Sequence, residues 1–286
     1  MKKKIVFFGF SEVGHDCLKL LLENPLCQVC AVFTHDTDPH EKQWFKTCEE
    51  LAKQNNIPVY KPLSLKDGTY DNIVREIAPD LILSLYYRNF IPESIFKQAR
   101  LGAYNMHGSY LPRYRGRAPL NWSIINGESY CGVTLHTIEK GFDTGLIADQ
   151  EKVLIGPNEY VGDVVDRVAR AAVLVLSRTL PKLLDGTVKL TPQDESQATY
   201  FGKRKPADGL IDFNKTAREV FNLIRGVSRP FPGAFTYVDG KKLVIWKAEI
   251  TEKHGENAGA LISENPYVFA CKDAAIKATD FEFQTA

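Results

Sequence analysis

The chain has 286 residues, 44% hydrophobic and 25% charged, an ordinary globular composition with enough length for one large domain and a smaller one. Its 36 basic and 35 acidic residues leave a net charge of +1, so no overall field draws it to nucleic acid or to an anionic membrane. The basic start leads into an apolar run too short for a signal peptide, and no stretch approaches the roughly 18 to 20 apolar residues of a membrane helix. A cytoplasmic protein with no membrane partner is expected.

Residues 4–10, rich in branched and aromatic side chains, read as a strand, and residues 12–23 place Val13, Cys17, Leu18, Leu21 and Leu22 at helical spacing. The pattern then predicts a strand at 29–34, a helix at about 43–55, a short strand at 57–60 and a helix at 70–77. Strands at 81–85 and 103–107 follow, with a short helix from Pro92 between them. Alternating strands and helices imply an α/β fold, a Rossmann-like and mostly parallel sheet that binds ligands at the carboxyl ends of its strands. Beyond a basic loop at 109–117 come a helix at 118–125 and stretches at 131–138 and 146–154 that alternate like antiparallel strands. A long amphipathic helix at 160–184 closes a first domain, residues 1–186. Residues 187–198 are polar and read as a linker. Short strand-like runs at 234–238, 242–250, 260–262 and 268–271 then predict a smaller β-barrel-like (OB-like) domain over residues 199–286.

The six cysteines are scattered. Cys27 and Cys30 have a suggestive spacing, but an odd separation along a strand sends side chains to opposite faces, so small buried hydrophobes are expected, without metal or disulfide.

The turn from Gly9 through Phe10 and Ser11 to Gly14 follows a strand and opens a helix. It lacks the middle glycine of a dinucleotide fingerprint, and no P-loop is present. It reads as a tight strand-to-helix turn whose backbone can approach a ligand. Asn105 and His107, two apart on a strand, share a face at the point where that strand runs out into a polar loop. Asp143 sits in a glycine-flanked turn, where an aspartate usually bonds its own neighbouring amides and is by itself structural. His136 reads as a strand residue near the site. In the basic loop Arg113, Arg115 and Arg117 interleave with Tyr114 and lead into a helix at Pro119, a setting for an anionic ligand.

Taken together, Asn105-x-His107-x-Ser109-x-Leu111-Pro112-x-Tyr114-Arg115-Gly116, then Gly132 to His136, then Asp143-x-Gly145, resemble the signature of the folate-dependent formyltransferases. Phe201 to Arg204, Arg225 and Pro230 to Ala234 are similar to motifs of that family's second domain. The resemblance implies a formyl donor, 10-formyltetrahydrofolate, whose pterin enters a pocket lined by backbone around Arg88, Asn89, Phe90, Ile91 and Pro92. It also implies catalytic roles for Asn105, His107 and Asp143, with no metal. Amide and imidazole N–H groups suit a tetrahedral oxyanion. Histidine, titrating near neutral pH, suits removal of the amine proton, with Asp143 orienting or charging it or holding a relay water.

Family members act on methionyl-tRNA, on glycinamide ribonucleotide or on sugar nucleotides. Residues 33–35, 57–60, 84–88 and 108–122 are most similar to enzymes that formylate nucleotide-linked amino sugars such as UDP-4-amino-4-deoxy-L-arabinose, a step in lipopolysaccharide, O-antigen or lipid A modification. A tRNA enzyme is expected to carry a basic loop after the second strand. Here residues 34–42 hold more acidic than basic side chains, which serves a nucleic acid poorly. A sugar nucleotide is therefore the expected partner, with Gly9, Phe10, Ser11, Ser109, Arg113, Tyr114, Arg115, Arg117 and Arg204 as its candidate contacts. Methionyl-tRNA is the alternative acceptor. A non-catalytic folate or sugar-nucleotide binding protein is the alternative of another class, opposed by the intact Asn105, His107 and Asp143. The oligomeric state stays open, the apolar strands of the second domain being compatible with a homodimer.

Overall fold

A computed structural model describes residues 1–36, 45–252 and 256–284. The chain runs through β1 (Lys3–Gly9), α1 (Ser11–Glu23), β2 (Cys27–Phe33), α2 (Cys48–Gln54), β3 (Val59–Tyr60), α3 (Asp71–Ile77) and β4 (Leu81–Leu85). Then come α4 (Glu93–Phe96), β5 (Ala103–His107), β6 (Arg115–Gly116), α5 (Pro119–Ile125), β7 (Tyr130–Thr137), β8 (Ile147–Leu154) and α6 (Val161–Asp185). Last are β9 (Tyr200–Phe201), α7 (Ala217–Val227), β10 (Ala234–Val238), β11 (Lys241–Thr251), β12 (Leu261–Glu264), β13 (Tyr267–Ala270) and β14 (Ala275–Gln284).

The main sheet has the order β3-β2-β1-β4-β5-β7-β8. Its β1, β2, β3, β4 and β5 pair in parallel, whereas β7 runs antiparallel to β5. The expected Rossmann-like, mostly parallel sheet is present. Its central strands are continuous apolar runs because helices cover them, and Phe8, Phe33 and Ile82 are fully buried. The winding reverses between β1 and β4, since β2 and β3 lie on one side of β1 and β4 and β5 on the other. Ligand clefts of open α/β sheets form outside the strand ends at such a reversal. Gly9 to Ser11 and the segment after Leu85 lie there.

The chain forms two compact units, interleaved in sequence where a single linker at 187–198 was expected. The first comprises residues 1–115, 132–153 and 167–200, and the second 116–131, 154–166 and 201–286. The expected linker is not a loose connection. Within the first unit Thr191 forms a bridge with Ile147, and residues 195–197 make a turn of 3-10 helix capped by Asp194.

In the second unit β10-β11-β14-β13-β12 form an antiparallel sheet, the β-rich domain expected from the turn pattern. Two of its elements were not anticipated, α7 and β14. Val220, Phe221, Ile224 and Val227 of α7 pack on Leu243 and Ile245 of β11 and on Ile276 of β14, forming the unit's core. The helix expected from residue 43 starts only at Cys48, because the Thr47 hydroxyl accepts from Glu50 N–H (3.1 Å) and closes a capping box. Residues 43 and 44 lie outside the described residues. All six cysteines are free thiols, with Cys27 buried and Cys30 half-buried on β2. Among the described residues no helix is long and apolar enough to cross a membrane.

Candidate active site

Strand register assembles the centre of the site. Ser84 of β4 stands opposite Asn105 of β5, and Asn105 opposite His136 of β7, so one polar row crosses three neighbouring strands. The Ser84 hydroxyl donates to Asn105 Oδ1 (2.8 Å), and Asn105 Nδ2 lies 3.2 Å from His136 Nε2. The other ring nitrogen of His136 is 2.8 Å from the Thr137 carbonyl. A carbonyl only accepts, so His136 Nδ1 carries the hydrogen and neutral His136 offers its Nε2 lone pair to the Asn105 amide. Asn105 is thereby clamped at both ends. No hydrogen bond among the described residues takes up its second amide N–H.

His107 follows on the same face of β5, 7% exposed. Its Nε2 is 2.8 Å from the Tyr114 carbonyl, so by the same reasoning Nε2–H donates there. Its Nδ1 faces Asp143 Oδ1 at 3.5 Å, and that same oxygen is 3.5 Å from His136 Nε2. One carboxylate oxygen therefore stands between two imidazoles. The sequence reading assigned His107 both an N–H toward an oxyanion and a proton-accepting role. Because Nε2–H is committed to Tyr114, neutral His107 presents a lone pair at Nδ1, and only the accepting role is left. A proton arriving at Nδ1 would convert the His107–Asp143 contact into an ion pair.

The turn that delivers Asp143 is tightly specified. Asp143 has φ +56°, in the left-handed region. Two residues on, a Cβ added to Gly145 would lie 1.8 Å from the Thr137 carbonyl oxygen, so only glycine fits that approach. The side-chain amide of Gln193 donates to the carbonyls of both Asp143 (2.8 Å) and Gly145 (2.7 Å).

Residues 3–180 match the formyl transferase family, and residues 203–285 match the formyl transferase C-terminal domain. The chain belongs to the formyltransferase family. A solved N-formyltransferase from Helicobacter canadensis, in complex with folinic acid and dTDP-3-aminofucose, aligns over 97% of this chain and 99% of its own, at TM-score 0.74 and 22% identity. WlaRD, a sugar 3N-formyltransferase solved with dTDP and 5-N-formyl-THF, aligns over 100% and 99% at TM-score 0.73 and 22% identity. A 4-N formyltransferase from Francisella tularensis aligns over 84% and 95% at TM-score 0.68 and 23% identity. At these identities the likeness establishes a shared fold. Family membership makes the chain a transferase of one-carbon groups.

Around this centre the formyltransferase places its other candidate residues in different settings. In the segment expected to line a pterin pocket, Arg88 N–H donates to His35 Nε2 (3.0 Å) and its guanidinium lies 4.3 Å over the Phe10 ring. Asn89 donates to the carbonyls of Pro62 and Leu63, while the Ile91 side chain turns into the core, so only its backbone can face a ligand. Phe90 and Phe142 are 37% and 68% exposed, with ring centroids 6.1 Å apart edge to face. Gly9 ends β1 and Phe10 caps α1, with Ser11 at φ +61°. Phe10 and Ser11 line a cleft of about 170 Å³ with Thr34, His35, Thr47 and Glu50. Of the charge-bearing loop at 34–42, residues 37–42 lie outside the described residues.

The basic loop is where the expectation needs correction. Arg115 is fully buried, and its five N–H donors all have partners. Nε and Nη2 donate to Gln193 Oε1, Nη1 and Nη2 to the Glu195 carboxylate, and Nη1 also to Tyr200 Oη. It has no donor left for a substrate phosphate. The Ser109 hydroxyl donates to the Arg113 carbonyl (2.6 Å), and buried Tyr114 contributes its carbonyl to His107. Both shape the loop around the histidine. Arg113 remains half-buried, its guanidinium 5.6 Å from the Tyr114 ring. In the second unit Arg117 is exposed, and Arg204 lies 4.7 Å over Trp122 with Nη2 donating to the Asp208 carbonyl.

Sequence reasoning missed three residues of the site. His136 was taken for a neighbour, and Ser84 and Gln193 were given no role. The antiparallel pairing expected for 131–138 could have exposed His136, whereas nothing local marks Gln193.

Proposed function

We propose that this formyltransferase moves the formyl group of 10-formyltetrahydrofolate onto the amine of a nucleotide-linked amino sugar, with Asn105, His107 and Asp143 as its catalytic residues. The observation that carries the reading is the single carboxylate oxygen of Asp143 set between His107 Nδ1 and His136 Nε2, beside an Asn105 amide with an N–H to give. Attack by an amine on a formyl carbon needs a base for the amine proton and a donor for the charge that builds on oxygen. His107 Nδ1 supplies the first and Asn105 Nδ2–H the second. Asp143 stabilises the imidazolium once the proton has arrived, and His136 fixes the amide. Collapse of the tetrahedral adduct breaks the bond from the formyl carbon to the donor nitrogen, which takes up the proton held by His107 and leaves as tetrahydrofolate.

The formyl donor fits the residues beside this cluster. Exposed Phe90 and Phe142 offer apolar faces to a flat heteroaromatic ring, and the segment 88–92 offers backbone donors and acceptors to its polar edge. Folate ligands in the similar Helicobacter canadensis and WlaRD structures support the same donor. The dTDP-linked sugar in the former and the near-neutral charge of this chain favour a sugar nucleotide over tRNA. UDP-4-amino-4-deoxy-L-arabinose and related dTDP, UDP or GDP amino sugars of lipopolysaccharide synthesis are the acceptors to test. Arg113, on the loop that carries the Tyr114 carbonyl, is the proposed anion contact of the first unit.

Tetrahydrofolate release from 10-formyltetrahydrofolate, followed spectrophotometrically with dTDP-3-aminofucose, UDP-4-amino-4-deoxy-L-arabinose and initiator methionyl-tRNA in parallel, separates the readings. Turnover with a sugar nucleotide and none with tRNA is expected. Turnover with tRNA alone reassigns the acceptor, and turnover with none of them removes the enzymatic reading.

A further inference from the structure

We propose that Arg115 and Gln193 are positioning residues that lock the Asp143 turn to the His107 loop. The inference rests on the catalytic assignment above. Arg115 has no hydrogen left for a ligand, yet it is a fully buried cation, a costly arrangement unless every donor is met. Its guanidinium grips Gln193 Oε1 through both Nε (3.1 Å) and Nη2 (2.8 Å). An amide oxygen held this way turns the Gln193 NH2 group outward in one orientation. Both of its hydrogens then have targets, the carbonyls of Asp143 and Gly145. The residue before Arg115 supplies the carbonyl that fixes the His107 tautomer. Hydrogen bonds from Tyr114 N–H to the Thr199 hydroxyl oxygen (2.8 Å) and from Arg115 N–H to the Thr199 carbonyl (2.8 Å) seat this dipeptide. One dipeptide therefore controls both sides of the His107–Asp143 contact, the histidine through a backbone carbonyl and the aspartate through a side-chain relay.

The turn needs this support. Asp143 is held at positive φ, which is uncommon for a non-glycine residue although aspartate tolerates it better than most. Gln193 bonds both of the turn's carbonyls with one side-chain amide. Its removal lets the carboxylate drift from Nδ1. Such a displacement acts on the chemical step and leaves substrate affinity in place.

The test compares Gln193→Ala, Gln193→Glu, Asp143→Asn and the Gln193→Ala/Asp143→Asn double variant, with 10-formyltetrahydrofolate and dTDP-3-aminofucose or UDP-4-amino-4-deoxy-L-arabinose. Gln193→Glu keeps an acceptor for Arg115 but removes both N–H donors, so it separates relay from packing. Each Gln193 variant is expected to lose about 10-fold to 100-fold in kcat with KM little changed. The double variant is expected to be no slower than Asp143→Asn, because both substitutions break one contact. A substrate-free readout accompanies the kinetics: the His107 imidazole ¹⁵N resonances in Gln193→Ala are expected to move in the same direction as in Asp143→Asn. Wild-type kcat or unmoved resonances in the Gln193 variants, with Asp143→Asn impaired, overturn the relay alone. Losses that multiply in the double variant also overturn it. Wild-type turnover in Asp143→Asn instead overturns the catalytic reading beneath it.

Discussion

Two imidazoles share one carboxylate oxygen in this formyltransferase, and different carbonyls set their tautomers, Tyr114 for His107 and Thr137 for His136. Opposite ring nitrogens therefore face Asp143, Nδ1 of the proposed base His107 and Nε2 of His136, which also accepts from the Asn105 amide. His136→Leu keeps a buried side chain on β7 but takes away the acceptor that orients Asn105. We expect kcat to fall by about 10-fold, less than the roughly 10²-fold to 10³-fold loss that removal of an oxyanion donor in Asn105→Ala entails. Steady-state kinetics check this order, and a His136→Leu enzyme as fast as wild type would remove the anchoring role. Asn105 and His107 were legible as a same-face pair because alternation along a strand is local. His136 and Gln193 were not, since the first depends on which strands pair and the second on where a buried arginine points. Arg115 misled for a related reason. A loop arginine reads as exposed until the partners that bury it are known.

Helix α7 shows what an element contributes beyond the site. Thr216 and Glu219 close a capping box at its start, and Phe221 packs in the core it shares with β11 and β14. Phe221→Ala is expected to cost about 3–5 kcal/mol in denaturant unfolding of the whole chain, and a change below about 1 kcal/mol would show that α7 is not part of the core. This helix was legible in principle, from Thr216-x-x-Glu219 before Val220, Phe221, Ile224 and Val227. The strand-like runs around it drew attention to the β-rich character of the second domain and away from the helix. The first unit holds β8 to α6 through Asp149 and Arg178. Burial would raise the Asp149 carboxyl, but bonds from Arg178, Thr179 and the Gln150 backbone outweigh it and hold the group below the usual carboxylate range. A lowered carboxyl contributes stability that is present above the unfolded-state value, about 3.9, and is lost as pH falls through the lowered one. Asp149→Asn should cost about 1 kcal/mol at neutral pH, discounted for the exposure of Arg178. Below about pH 4 its unfolding free energy should fall less steeply than that of wild type, and parallel curves would contradict the assignment.

At the scale of the molecule, the reversal between β1 and β4 and the polar row over β4, β5 and β7 set the candidate site on interior strands of the main sheet, toward the carboxyl ends of β4 and β5. The alternating elements announced that sheet, while the interleaving of the two units was invisible because it depends on contacts between distant segments. With 36 basic against 35 acidic residues, the acceptor KM should change little between low and moderate salt, whereas a phosphate-rich macromolecule would lose affinity steeply. The most direct test of the account pairs two measurements on His107→Ala: formyl transfer from 10-formyltetrahydrofolate to the preferred amino-sugar nucleotide, and binding of the unreactive 5-formyl isomer. Loss of about 10²-fold to 10⁴-fold in turnover with donor affinity within a few-fold of wild type is the predicted result. Turnover close to that of wild type would contradict the assignment of His107 Nδ1 as the group that takes the amine proton.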